Sequence, residues 1–200
     1  MNNSGYRKAI RVGNFNFYLM KKYLMMAVMA LFAIAANAQA PRWGIKAGLN
    51  FANLGRDANT DARVGFHIGG LAEWKMTDLV SLQPEALLSM KGADDISAWY
   101  LEIPINAKFN FELGKGNIYL TVGPYIGIGL FGEVNDYDWF GADRNKRFDI
   151  GGGLGVGYEF AQHWFVNLGY SYGFMNINDV PHSSTKYNQM NCNLSFGYKF

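Results

Sequence analysis

Two hundred residues fit one domain, and a chain that is half apolar, 16% aromatic and only 17% charged has enough apolar surface for a large core. A net charge of +2 excludes a strong electrostatic partner such as nucleic acid. The single cysteine, Cys192, excludes an intrachain disulfide and a cysteine-built zinc cluster.

In chain order, residues 1–19 resemble neither an export signal nor a domain and read as an upstream extension. Met20 then reads as the true start. Lys21 and Lys22 form a basic region, Leu24 to Ala36 an apolar run, and Ala36-Asn37-Ala38 an A-x-A cleavage site. Residues 20–38 are therefore expected to be a cleaved signal peptide, because the run falls short of the about 20 residues that a spanning helix needs. The mature domain is expected over residues 39–200.

From Arg42 onward the period is two. The first segment presents Trp43, Ile45, Ala47, Leu49 and Phe51 on one face. The second presents Val64 to Trp74, the third Val80 to Met90 and the fourth Leu101 to Phe111, each in steps of two. The fifth runs from Ile118 to Leu130, the sixth from Phe148 to Phe160, the seventh from Trp164 to Phe174 and the eighth from Met190 to Phe200. No position on that face is charged. The opposite face carries Lys46, His67, Glu73, Lys75, Glu85, Lys91, Glu102, Lys108, Asp149, Glu159 and Lys199, with many amides and glycines.

Two architectures use such strands. A soluble barrel or sandwich turns the apolar face inward, and a membrane barrel turns it toward lipid. Three features favour the membrane. Glycines crowd the polar face, which suits an interior just wide enough for side chains and leaves room for Tyr100, Tyr119, Tyr125 and Phe165. Aromatics sort to the strand ends, with Trp43, Trp74, Phe111, Phe160, Trp164 and Phe200 at one end and Phe51, Phe66, Trp99, Phe148 and Phe174 at the other. Connections alternate in length: Thr77-Asp78, 114–117 and 161–163 are short, while 55–62, 92–97, 133–146 and 176–187 are longer and polar. The fold class expected is all-β, an eight-stranded antiparallel up-and-down transmembrane β-barrel with both termini periplasmic. Mid-strand Pro84 and Pro124 imply local bulges.

The runs YLEIPINAKFNF (residues 100–111), IYLTVGPYIGIGL (118–130), GGGLGVGYEF (151–160) and the closing LSFGYKF resemble the PorT-like outer-membrane β-barrel family of Bacteroidetes. The opening WGIKAGLNFANL fits the same family, so the resemblance spans Trp43 to Phe200. It implies a small barrel in the outer membrane. The namesake's link to protein secretion is carried by no residue set in this chain. In barrels of this kind the alternating Leu194, Phe196, Tyr198 and terminal Phe200 resemble the signal that the barrel-insertion machinery reads.

The remaining motifs are weaker. Gly127-Ile-Gly129-Leu-Phe-Gly132 matches a dinucleotide fingerprint, but no helix follows to receive pyrophosphate. His182, Ser183 and Ser184, with Asp179 nearby, loosely resemble the His–Ser arrangement of eight-stranded lipid A deacylases. The three histidines are scattered, and no metal, cofactor or catalytic residue is assigned. The inner Lys and Glu residues should pair across strands and plug the lumen, with a narrow solute path as the alternative. Tyr137, Trp139 and Phe140 in the third long loop are recognition candidates. The expected role is a non-enzymatic envelope protein, structural or interacting through its outer loops. Its partners would be outer-membrane lipid and lipopolysaccharide, the insertion machinery during biogenesis, and an unidentified outer ligand. A channel or transporter, a secretion-associated component and a lipid A hydrolase are the other readings.

Overall fold

A computed structural model describes residues 40–56, 63–91, 97–134, 137–138, 140, 146–175 and 187–200. The expected upstream extension and signal peptide lie outside these residues. The strands are β1 (Arg42–Arg56), β2 (Arg63–Lys75), β3 (Val80–Lys91), β4 (Ser97–Leu113) and β5 (Gly116–Val134), then β6 (Tyr137–Asp138), β7 (Phe148–Phe160), β8 (Trp164–Gly173) and β9 (Tyr187–Lys199). β6 is a two-residue stub on β5. The other eight form one antiparallel sheet in which neighbours in sequence are neighbours in space. The last strand pairs with the first, from Gly44↔Lys199 to Arg56↔Tyr187, and closes the barrel. No helix occurs among the described residues.

The alternation decides which face is inside. Lys108 and Lys199 are 1% exposed, whereas Trp43 is 61% and Leu154 62% exposed. All eight apolar faces point outward and all eight polar faces inward. Burying charge while exposing Trp and Leu is stable only when the surround is apolar, so the outer belt calls for lipid. Tyr100, Tyr119, Tyr125 and Phe165 are buried in the interior, as their parity requires. Glycines make room for them. A Cβ on Gly157 would lie 2.3 Å from Tyr119 Cζ.

The three short turns share one end of the barrel with Arg42 and Phe200, here the turn end, and the strand ends at Arg56, Lys91, Val134 and Gly173 lie at the other, the loop end. At the turn end Ala161 and Gln162 adopt φ of 49° and 67°, a left-handed backbone that disfavours side chains. Phe200 N–H donates to Trp43 O at 2.8 Å and fixes the terminal residue beside β1. His163 stacks on Tyr198 at 5.2 Å, and Trp164 meets Phe196 at 5.1 Å. At the loop end Phe66, Trp99 and Phe131 form an outer cluster with centroid spacings of 5.2 and 5.7 Å.

The bulge expectation is corrected. Register is continuous through Pro84 and Pro124, and also through Pro104, a third mid-strand proline. The missing N–H only leaves gaps in the pairing: β2–β3 skips from Leu71↔Glu85 to Trp74↔Leu82, and β4–β5 from Pro104↔Tyr125 to Ala107↔Val122. The shift lies instead between Trp99 and Tyr100, where Trp99 faces Phe131 and Tyr100 faces Gly129. Leu130 is the extra residue, so both Leu130 and Phe131 are exposed outside.

Candidate functional site

The interior is built in levels. Near the turn end, Lys108 of β4 and Lys199 of β9 meet Glu73 of β2 and Glu159 of β7. Lys108 Nζ lies 2.9 Å from Glu73 and 3.0 Å from Glu159, and Lys199 Nζ lies 2.5 Å and 2.7 Å from the same carboxylates. Two cations and two anions thus alternate around a ring whose members come from four separate strands. Lys108 also sits 4.5 Å above the Tyr119 ring, and Lys199 5.2 Å above that of Phe165. Leu71 packs with Tyr119 and Phe165 in a small apolar cluster. In a low-dielectric lumen such ions persist only when matched, which this ring achieves.

The middle level is mostly uncharged. His67 Nδ1 lies 2.9 Å from Asn50 Oδ1, and Nε2 lies 2.9 Å from Ser195 Oγ. Asn191 donates to Asn50 Oδ1 at 3.3 Å. Lys46 and Glu85 form a 2.6 Å ion pair, and Gln83 donates to Glu85 at 2.7 Å. A cavity of about 80 Å³ opens among these side chains, bordered also by Ser89, Asn106 and Asn193.

Toward the loop end, Lys91 pairs with Glu102, and Tyr125 O–H donates to Asp149 at 2.8 Å. Above them Phe140 is turned into the lumen. Its ring stands edge-on to Tyr100 at 5.5 Å and rests on Gly129, where a Cβ would come within 2.4 Å of it. Arg147 lies 5.1 Å over the same ring and donates to the carbonyls of Gly129, Leu130 and Phe140.

Most of the predicted inner charges thus come together, with three differences. Lys75 is exposed and pairs at 2.9 Å with Asp78 in the β2–β3 turn, because its strand ends at the barrel mouth. Phe140 is 3% exposed rather than displayed. Arg42, on the inward parity of β1, was missed; it reaches Glu159 at 2.8 Å and donates to Gln162 O. Alternation extended one residue before Trp43 would have found it. The Tyr137 side chain, Trp139, and the Asp179, His182, Ser183 and Ser184 group lie outside what is described. Leu194, Phe196 and Phe200 are exposed on the outer face, with Tyr198 partly covered beside them. Among the described residues no group of His, Cys, Asp or Glu is placed to hold a metal ion.

Residues 24–200 match the profile of the outer membrane protein beta-barrel domain. The chain belongs to that family. Outer-membrane proteins of known structure resemble it to different degrees. Neisserial surface protein A is similar at a TM-score of 0.57 and 15% identity, over 82% of this chain and 99% of that one. Ail of Yersinia pestis aligns at 0.45 and 13%, over 81% and 100%. The N-terminal barrel domain of Pseudomonas aeruginosa OprF aligns at 0.45 and 13%, over 80% and 99%. No curated protein matches the chain. For an outer-membrane barrel the exposed apolar belt is the lipid contact, and the charged interior is the part with chemistry to offer.

Proposed function

We propose that this outer-membrane barrel is non-enzymatic and that its lumen is shut, so that it acts structurally or through its loop end. The observation that carries this reading is the Lys108–Lys199–Glu73–Glu159 ring, whose partners reach across the lumen from β4, β9, β2 and β7. In the proposed topology residues 20–38 are removed on export, and both termini and the short turns face the periplasm. The loops then face outward toward lipopolysaccharide and an outer ligand. The terminal strand, with Leu194, Phe196, Tyr198 and Phe200, addresses the chain to the insertion machinery. The sequence resemblance supports placing it among PorT-like barrels of Bacteroidetes, without assigning a secretion role.

Single-channel recording on purified protein tests the shut lumen. The expected result is no stable, ion-dependent conductance step. Reproducible steps would overturn the plug and favour the channel reading.

A further inference from the structure

The seams of the barrel are unequal. Pairing runs unbroken through β1–β2, β1–β9, β5–β7, β7–β8 and β8–β9. The other three seams, β2–β3, β3–β4 and β4–β5, are adjacent, and each of them skips pairs. The β3–β4 gap runs from Pro84↔Ile105 to Leu87↔Glu102. Carrying the registers through the gaps sets Ala72 opposite Pro84, Glu85 opposite Pro104 and Ile105 opposite Pro124. In each case the carbonyl of the first residue loses the N–H that would have bonded it. Ala72, Pro84, Ile105 and Pro124 fall in one row across β2, β3, β4 and β5, and the Glu85–Pro104 gap lies directly beside it.

The three released carbonyls need donors, and lipid has none to give. Toward lipid the row itself shows only Ala72, Pro84, Ile105 and Pro124, whose side chains cannot donate. The lumen side can supply donors. Gln83, Glu85, Pro104, Asn106 and Gly123, all within the gaps, line the cavity of about 80 Å³. The Ile105 carbonyl leans over Gly123, where an inward Cβ would lie 2.1 Å from it. Ser89 Oγ and Asn191 Oδ1 of the same lining are buried and have no protein hydrogen-bond partner. Ordered water satisfies buried polar groups of this kind, and at about 10–15 Å³ per molecule the cavity takes about five to eight waters.

We infer that this row is a hinge in the barrel wall, along which β2–β5 open first, with water of the lumen cavity taking over the backbone groups that the prolines release. Opening there breaks fewer ladder bonds than in the unbroken seams, and it leaves the freed groups beside water rather than lipid. Side chains still tie the strands across the row, since Lys46 of β1 pairs with Glu85 of β3 at 2.6 Å and Lys108 of β4 with Glu73 of β2 at 2.9 Å. The wall therefore flexes along the row without parting. The hinge does not depend on the lumen being shut.

The test is amide hydrogen exchange followed by NMR on the full chain in nanodiscs. The reporters are the amides of Ala72, Glu85 and Ile105, each the remaining ladder donor opposite a proline. The references are the amides of Gly152 and Tyr172, which face each other in the same row on the unbroken wall. The three reporters should exchange about tenfold or more faster than the references. Pro124→Ala returns an N–H to the Ile105 carbonyl, so it should slow exchange at Ile105 about threefold or more and leave Tyr172 unchanged. Equal rates on the two walls, or no slowing at Ile105, would overturn the hinge. Pro84→Ala, read at Ala72, provides the second variant if the first loses heat-modifiable mobility. Magnetisation transfer from water to the Asn106 side-chain amide is also expected, and transfer from lipid chains alone would overturn the cavity as the source of water.

Discussion

Replacing Lys199 by Met tests the central ring directly. The side chain is 1% exposed and makes two charge-assisted contacts, at 2.5 Å to Glu73 and 2.7 Å to Glu159. Each contact of this kind contributes about 1.5–3 kcal/mol. Removing one member of a buried ionic group costs about 3–5 kcal/mol, because a carboxylate is left short of charge. Lys199→Met should therefore destabilise the folded barrel by about 3–5 kcal/mol. Adding Glu73→Gln leaves Lys108 matched by Glu159 at 3.0 Å, so the double variant should fall short of the summed single losses by about 0.5–3 kcal/mol. Reversible urea unfolding of lipid-refolded protein, followed by heat-modifiable gel mobility, gives all three values. A Lys199→Met loss below about 1 kcal/mol, or simple additivity in the cycle, would refute the ring as a coupled unit.

Other outcomes follow from particular residues. Gln162→Gly should stabilise the barrel by about 1 kcal/mol in the same unfolding assay, since Gln162 holds φ of 67° and its bond to Arg42 uses only the backbone carbonyl. Gly157→Ala should cost about 1–3 kcal/mol, because its Cβ would meet Tyr119 at 2.3 Å and Val166 O at 2.5 Å. The Lys75 ammonium, by hydrogen bond and charge, holds the Asp78 carboxyl below its ordinary range; an NMR titration should place its midpoint below that of a free aspartate, and Lys75→Gln should raise it. Deleting Phe200 should lower the amount of inserted protein in membrane fractions, since it removes the amide bound to Trp43 O and the terminal aromatic.

The fold was legible because a period of two leaves only two phases per strand, and the charged side chains choose between them. Lys46, Lys108 and Lys199 each mark an inward parity that the structure keeps. Parity says nothing of height along the barrel, and there the sequence reading erred. Lys75 has the inward phase but stands at a strand end, where solvent and Asp78 compete for it. Phe140 belongs to a connection with no period at all, and only the bare Gly129 surface beneath it hints at an inward pocket. Pro84 and Pro124 were read as bulges because a proline removes a donor; the sheet instead leaves pairing gaps and keeps its register. The partners in the four-charge ring come from β2, β4, β7 and β9, and no local spacing relates them.

The β1–β9 seam is the one long-range closure of the described sheet. Every other seam joins strands adjacent along the chain, so it can zip as a hairpin while the rest is unmade. This one needs Lys199 opposite Gly44 and Phe200 against Trp43, the two extremes of the barrel sequence. Until the final residues arrive, the sheet keeps two open edges that would recruit any stray strand. An unclosed sheet is therefore an aggregation hazard, and a copy lacking β9 has no partner for the outer edge of β1.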